Sequence, residues 1–231
     1  YNIESISDLN SKITPFTVTR KNSGHDQPNV ICNFASASFI RQNVRENAYS
    51  DLMPKVMFDI LADAVAGGRI AQFSNLEKAI MYRMRMMTPA LIRDVPDVGQ
   101  GLEHRIYEAR TASTVQEMME MIKTKRYTMS RIRRILVNAL LGITKDDLTT
   151  PPVYGRILAV NERGTDILSV AKGKSRIPLA TSLSKLGEIN AVTRRAAELE
   201  SLSTDIYSIA MEKVQPVGTD YRAKIGVTNS I

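Results

Sequence analysis

The chain has 231 residues, of which 43% are hydrophobic and 24% charged, so it can bury a core and divide into more than one module. Its 31 lysines and arginines against 24 aspartates and glutamates leave a formal charge of +7, which favours a polyanionic partner such as nucleic acid. Cys32 is the only cysteine, which excludes an internal disulfide and a cysteine-based zinc site.

The sequence carries no pattern for membrane insertion or export. No run reaches the roughly 18 to 20 apolar residues of a membrane span, and the first ten residues do not form a signal peptide. We therefore expect a cytoplasmic protein. The chain starts at Tyr1 close to a helix-like segment, which we interpret as a cut within a domain, so that the sequence is a fragment of a longer protein.

The opening segment has the pattern of the last βα unit of an α/β domain. Residues 3–13 are typical of the end of a helix, and residues 14–19 form a β-rich run with its proline near the start, which predicts a strand. Residues 21–29 are polar and predict a loop, and residues 35–45 predict a helix. We expect residues 1–48 to be the carboxy-terminal end of an α/β domain.

Helical periodicity dominates residues 50–150. A first helix ends at Gly67-Gly68, and its predicted inner face consists of apolar residues: Val56, Met57, Ile60, Leu61, Ala64 and Val65. Three later helix starts are marked by cap patterns: Ser74 with Glu77, Thr88-Pro89, and Thr114 with Glu117. Four methionines are expected to fill the core or an interface: Met81, Met84, Met86 and Met87. We assign residues 49–150 to one helical domain.

The last part of the chain predicts a small α/β element followed by helices. Pro151-Pro152 interrupts the helical pattern, and strands are expected over residues 156–160 and 177–180 with a helix over residues 162–172 between them. Helices over residues 185–200 and 205–211 follow, with a partly disordered tail from residue 217. Residues 151–231 therefore form the third predicted domain.

The densest charge cluster of the chain is basic and contains no acidic residue. Its members are Lys123, Lys125, Arg126, Arg131, Arg133 and Arg134. At about 100° per residue the following helix collects its apolar side chains on one arc and leaves the arginines beside or opposite it. Cations at a helix start oppose the macrodipole by about 0.3 to 1 kcal/mol each, and a phosphate backbone would relieve that conflict. Tyr127 adds a candidate stacking face.

Two interpretations of this basic cluster remain open. It binds nucleic acid, or it is a solvated arginine face paired with acidic residues from elsewhere in the fold.

A second set of anion-binding candidates lies near the start of the chain: Arg20, Ser36, Ser38 and Arg41. Serines at a helix start with an arginine one turn inside suit a triphosphate, although such serines often serve only as caps.

The two histidines, His25 and His104, lie too far apart in sequence to form a metal motif. Asp26 is placed to orient His25, but a histidine in a polar loop is more often solvated or hydrogen-bonded than catalytic. We therefore name no catalytic residue and no metal site.

Residues 126–143 resemble the tRNA(Met) cytidine acetate ligase family, a branch of the nucleotidyltransferases that carry a His-x-Gly-His ATP motif. Further matching segments are residues 17–20 with His25-Asp26, and residues 35–41, 101–106, 156–164 and 205–208. The resemblance implies that ATP and acetate form acetyl-adenylate, and that the acetyl group passes to N4 of the wobble cytidine of elongator tRNA(Met). ATP would be accompanied by Mg²⁺.

The resemblance also implies roles for the two candidate sets. It assigns ATP binding to Arg20, Ser36, Ser38 and Arg41, and tRNA binding to the basic cluster, in a mainly α fold with a Rossmann-like end, a helical RNA-binding domain and a small α/β element. The family's His-x-Gly-His segment is not among these residues, so we expect the chain alone to be inactive. A non-catalytic RNA-binding module and a different nucleotidyl transfer by the same fold remain alternatives.

Overall fold

The structure, a computed structural model, describes residues 2–19, 30, 34–46, 49–149 and 151–227. The chain divides into two compact units, Tyr1–Gly67 and Gly68–Ile231. Helices make up most of the regular structure in both, which confirms the mainly helical fold class. The three-domain division at residues 48 and 150 stays a prediction, and the contacts divide the chain after Gly67.

The first unit is built from short helices. In its described residues these are α1 (Asn2–Asp8), α2 (Ala37–Gln42) and α3 (Lys55–Ala66), with a 3₁₀ turn at Ser50–Leu52. Residues 14–19 form no strand and are exposed. That strand prediction is wrong, because a β-rich run needs a partner strand and no described segment pairs with it. The predicted loop over residues 21–29 lies outside the described residues.

Helix α3 ends at Ala66 with Gly67 as its C-cap, as the glycine pair predicts, and Gly68 has a left-handed φ of 65°. Its predicted inner face is not buried. Val56, Met57 and Ile60 are 70%, 57% and 63% exposed. The periodicity therefore predicted the helix correctly but not the burial of that face.

The second unit begins with a helical bundle. Its α-helices are α4 (Glu77–Met86), α5 (Pro89–Asp94), α6 (Leu102–Glu108), α7 (Val115–Ile122), α8 (Met129–Leu141) and α9 (Lys145–Thr149). Two 3₁₀ turns, Phe73–Leu76 and Ala109–Thr111, precede α4 and follow α6. Helix α8 packs against α4 and α7 and lies at the centre of this arrangement.

The cap patterns are confirmed in part. Thr88 caps α5 by accepting from the backbone N–H of Leu91, with Pro89 at the first helical position. Thr114 accepts from the N–H of Glu117. The predicted Ser74 cap is wrong, because Ser74 lies inside the 3₁₀ turn, and α4 starts at Glu77 without a side-chain cap.

Apolar side chains of α4 to α8 form one core. Its largest fully buried members include Ile80, Met84, Ile92, Leu102, Ile106, Met118, Met119, Ile122, Ile132, Ile135 and Leu136. The methionine prediction is confirmed for Met81, Met84 and Met87, each at most 7% exposed, whereas Met86 is 64% exposed. Full burial of a side chain of this size is worth about 1.5 to 3 kcal/mol, so this core supplies most of the bundle's stability.

The remaining residues form the expected small α/β element and a helical layer. The elements are β1 (Gly155–Arg156), β2 (Ala159–Val160), α10 (Glu162–Ala171), β3 (Leu179–Ala180), α11 (Leu183–Gly187), α12 (Ala191–Ile209), α13 (Thr219–Arg222) and β4 (Gly226–Val227). Strand β1 pairs in parallel with β3, and β2 with β4. The tail from residue 217 carries α13 and β4, so the prediction of disorder is wrong for residues 217–227.

Helix α12 is continuous over residues predicted as two helices. The serine-rich stretch at its middle does not break it, and the Ser203 hydroxyl is satisfied within the helix by donating to the Leu199 carbonyl at 2.7 Å. An Asn190–Thr193 capping box starts the helix. Arg156 of β1 ties the strand to α12 and α13 through Glu200 (2.6 Å) and Asp220 (2.8 Å).

Candidate nucleic-acid interface

Helix α8 presents the predicted two-sided pattern. Thr128 caps its start by accepting from the N–H of Arg131, and Gly142 ends it with a φ of 67°. Four residues of the predicted inner arc are buried in the core, and the fifth, Leu140, is partly buried against it; the four are Ile132, Ile135, Leu136 and Ala139. This face fixes the helix, so the polar side chains around it have a defined position.

The six basic residues occupy two adjoining segments. Lys123, Lys125 and Arg126 lie in the loop between α7 and α8, whereas Arg131, Arg133 and Arg134 lie on the first turns of α8. All are exposed except Arg131, which is half-buried. The structure therefore brings the whole predicted cluster, called here the basic segment, to the positive end of one helix dipole.

Tyr127 does not act as a stacking platform. Its ring is buried, with 8% of the residue exposed. The Arg131 and Arg126 guanidinium carbons lie 5.1 and 6.0 Å from the ring centroid, which is within cation–π range. The prediction of a free stacking face is wrong, because the ring is used to position these two arginines.

One member of the basic segment has an acidic partner. Arg134 Nε lies 2.6 Å from Asp97 Oδ2, so the alternative interpretation of a paired arginine holds at this position. Arg131 Nη2 donates to the Asp97 backbone carbonyl at 2.6 Å. Within the part of the chain that the structure describes, the other five cations form no ion pair with a carboxylate.

The loop that carries Asp97 forms a polar pocket against the basic segment. The pocket has a volume of about 410 Å³, and its lining residues are Asp97, Val98, Gly99, Gln100, Arg126 and Arg131. Three residues of this loop have left-handed backbone: Asp97 at φ 66°, Gln100 at φ 58° and Gly101 at φ 84°. Two of these are not glycine, and such strain tends to persist at functional sites.

Sequence reasoning missed this pocket. The available signal was the segment Pro96 to Gly101, in which a proline and two glycines indicate an irregular loop before α6. About 30 residues separate this loop from the arginines, so their meeting depends on how α5, α6 and α8 pack.

The predicted ATP-side residues fall into two groups. Ser36 caps α2 by accepting from the N–H of Phe39 at 3.0 Å, and Ser38 Oγ lies 3.3 Å from Arg41 Nη2. The structure thus places Ser36, Ser38 and Arg41 together at one short helix. Arg20 lies outside the described residues, as do His25 and Asp26. ATP binding by these residues stays a prediction.

A second cavity lies beside α9 and α12. It has a volume of about 360 Å³, is lined mainly by apolar side chains and includes Asp147, Tyr154 and Arg195. Hydrogen bonds from Arg195, assisted by the Thr144 N–H and hydroxyl, lower the pKa of Asp147 to about 2 despite partial burial. Burial and the adjacent Glu200 carboxylate raise the pKa of Tyr154 well above its ordinary value. These contacts indicate a structural role.

The described residues contain no group of three or more His, Cys, Asp or Glu side chains placed to hold a metal ion. Among them, no helix has the length and apolar character needed to cross a membrane.

Solved structures of Thermotoga maritima TmcAL share the fold of this chain. The apo structure of that protein has a TM-score of 0.84 at 24% identity, and the match covers 99% of this chain and 59% of that one. A second structure of that protein, bound with alpha-thio ATP, has a TM-score of 0.81 at 24% identity, covering 99% and 57%. The class of protein is therefore a mainly helical one with the TmcAL fold.

The family model described as HIGH Nucleotidyl Transferase matches residues 2–221, and the chain belongs to this family. The tRNA(Met) cytidine acetate ligase of Acetivibrio thermocellus is 36% identical over 220 residues, which is 89% of this chain and 53% of that protein. The protein of the same name from Thermoanaerobacter sp. strain X514 is 34% identical over 229 residues, 95% of this chain and 56% of that protein. The predicted resemblance is confirmed, and the chain spans about half the length of these relatives.

Proposed function

We propose that this chain supplies the tRNA-binding part of an ATP-dependent ligase that forms N4-acetylcytidine at the wobble position of elongator tRNA(Met). The observation that carries the proposal is the basic segment, in which five of six cations have no carboxylate partner within the described residues. Family membership supports the choice of reaction, since relatives named tRNA(Met) cytidine acetate ligase align along most of the chain.

The basic segment suits an RNA backbone because five of its six cations are exposed and all lie on the first turns of α8 or in the loop before it. Lysine and arginine side chains bind phosphates without reading sequence, and they fix the register of the RNA on the protein. The core packing of α8 holds Arg131, Arg133 and Arg134 on a rigid helix, which limits the entropy lost on binding. Selection of the cytidine itself then depends on other groups.

The chemical steps follow from the acetate and ATP substrates. A carboxylate oxygen of acetate attacks the α-phosphorus of ATP, pyrophosphate leaves, and acetyl-adenylate forms. The cytidine N4 then attacks the acetyl carbonyl, AMP leaves, and N4 gives up one proton. Donors around the phosphates stabilise the charge of the first step, and we propose Arg20, Ser36, Ser38 and Arg41 for this role, with Mg²⁺ accompanying the nucleotide. We propose that this reaction takes place in the cytoplasm.

The acetylation proposal is tested with the whole protein, ATP, labelled acetate and elongator tRNA(Met). We expect label in the wobble cytidine, and none in a matched tRNA whose wobble base is uridine. If the protein binds the tRNA but transfers no label to it, the ligase proposal is refuted and a non-catalytic RNA-binding module is favoured.

Arg41 is tested separately for its ATP role. We expect Arg41→Ala to raise the ATP concentration needed for half-maximal rate without changing thermal unfolding, because its side chain is exposed. Lys55→Ala, which removes an exposed cation at the start of α3, serves as the control. Equal ATP dependence in both variants would remove Arg41 from the site.

A further inference from the structure

The polar pocket at residues 97–100 has unused hydrogen-bond donors. Arg131 Nε is buried and has no hydrogen-bond partner. In the described part of the chain, the backbone N–H groups of Gly99 and Gln100 also donate to no protein atom. Buried donors are normally hydrogen-bonded in folded proteins, so an unpartnered one is consistent with a polar ligand at this place.

The charge of the pocket favours an anion. Arg126 and Arg131 line it, and the one carboxylate in the lining, Asp97, is held by Arg134 at 2.6 Å. The three arginines and one aspartate sum to a charge of +2 around the opening. Arginine forks bind phosphate oxygens in two places at once, and this makes phosphate the best matched anion.

The volume of the pocket indicates a ligand larger than a single phosphate ion. Its volume of about 410 Å³ is larger than one phosphate ion fills, and the pocket is open to solvent. The Gln100 carboxamide offers both a donor and an acceptor, as recognition of a base edge requires. RNA-binding proteins commonly take single unstacked nucleotides in this manner.

We propose that this pocket binds one unstacked nucleotide of the RNA, with its phosphate against Arg126 and Arg131 and its base beside Gln100. The proposal rests on the proposed function, since it assigns a specific subsite to the same basic segment. The rest of the segment then holds the neighbouring phosphates, and the strained loop presents the free N–H groups of Gly99 and Gln100 to the ligand.

The test uses two variants, Arg126→Ala and Lys125→Ala, which each remove one exposed cation at adjacent positions of the chain. Arg126 lines the pocket, whereas Lys125 does not. Each variant is titrated with cytidine 5′-monophosphate, cytidine and inorganic phosphate by NMR, and with elongator tRNA(Met) by fluorescence anisotropy. Thermal unfolding of both variants checks that the fold is intact.

We expect the wild-type chain to bind the monophosphate more tightly than either cytidine or phosphate. Arg126→Ala should weaken that binding about tenfold or more, as loss of a charge-assisted hydrogen bond does, and Lys125→Ala should leave it within about twofold. Equal binding of phosphate and the monophosphate would overturn the nucleotide site, as would equal effects of the two variants. The tRNA titration is read independently: if neither variant weakens tRNA binding, the proposed RNA-binding function itself fails.

Discussion

Replacing Asp147 with asparagine tests the link between α9 and α12. Asp147 accepts from Arg195 Nε and Nη2 at 3.0 Å each, and its side chain is 13% exposed. These bonds and those from Thr144 lower its pKa from an ordinary 3.8 to about 2. At about 1.36 kcal/mol per pKa unit that lowering corresponds to about 2 kcal/mol. Because the Arg195 side chain is 45% exposed, solvent screening reduces the expected contribution to about 1 to 2 kcal/mol.

The sign of the pH dependence follows from the lowered pKa. The ionised carboxylate stabilises the folded chain fully above pH 4, and this contribution disappears as the pH falls towards 2. Asp147→Asn should therefore lose about 1 to 2 kcal/mol at pH 7 and almost nothing at pH 2 relative to wild type.

Urea unfolding followed by circular dichroism between pH 2 and 7 measures this difference. Asp166→Asn is the matched control, since Asp166 is exposed on α10 and its carboxylate has no partner among the described residues. A constant gap between wild type and Asp147→Asn across this range, or the same loss in the control, would show that the ion pair is not the cause.

Three further variants test α8 and the loop before it. Ile132→Ala should cost about 2 to 5 kcal/mol, because the side chain is fully buried between α8 and its neighbours, and chemical unfolding measures it. Lys125→Ala should reduce the slope of log affinity for tRNA against log salt by about 1, as loss of one phosphate contact does. Arg134→Ala should reduce that slope less, because Asp97 already holds its Nε at 2.6 Å. Equal slope changes for the two cations would show that the ion pair opens on binding.

Sequence patterns correctly predicted those features of the fold that depend only on neighbouring residues. The apolar arc of α8, the Thr88-Pro89 helix start and the glycine stop after α3 each depend on residues within about one turn of one another. Their geometry follows from periodicity and capping, which a single sequence contains.

Predictions failed where a distant partner decides the outcome. Residues 14–19 have strand propensity, but pairing determines whether a strand forms. Glu77 illustrates the same point at a helix start: its carboxylate accepts from the Val115 N–H at 3.0 Å, 38 residues away. The pocket was missed for the same reason. Tertiary contacts bring its two segments together, and they hold Asp97 and Gln100 at positive φ although neither residue is glycine.

Two residues of the basic segment also stabilise the fold. Arg131 and Arg134 both contact Asp97, so they hold the pocket loop against α8. Lys123 and Lys125 are exposed and have no carboxylate partner in the described residues, so their removal leaves the core and the loop intact. At the other end of α8, Arg83 and Arg195 donate to the carbonyls of Ala139 and Gly142, where the helix dipole favours cations.

The helix dipole does not explain the cations at the start of α8. There the dipole disfavours them, and only Asp97 compensates among the described carboxylates. An arrangement that costs stability in the free chain is explained if a polyanion relieves it in the complex. Salt should therefore have opposite effects on the two states: it screens the repulsion and stabilises the free chain, and it weakens the complex with RNA.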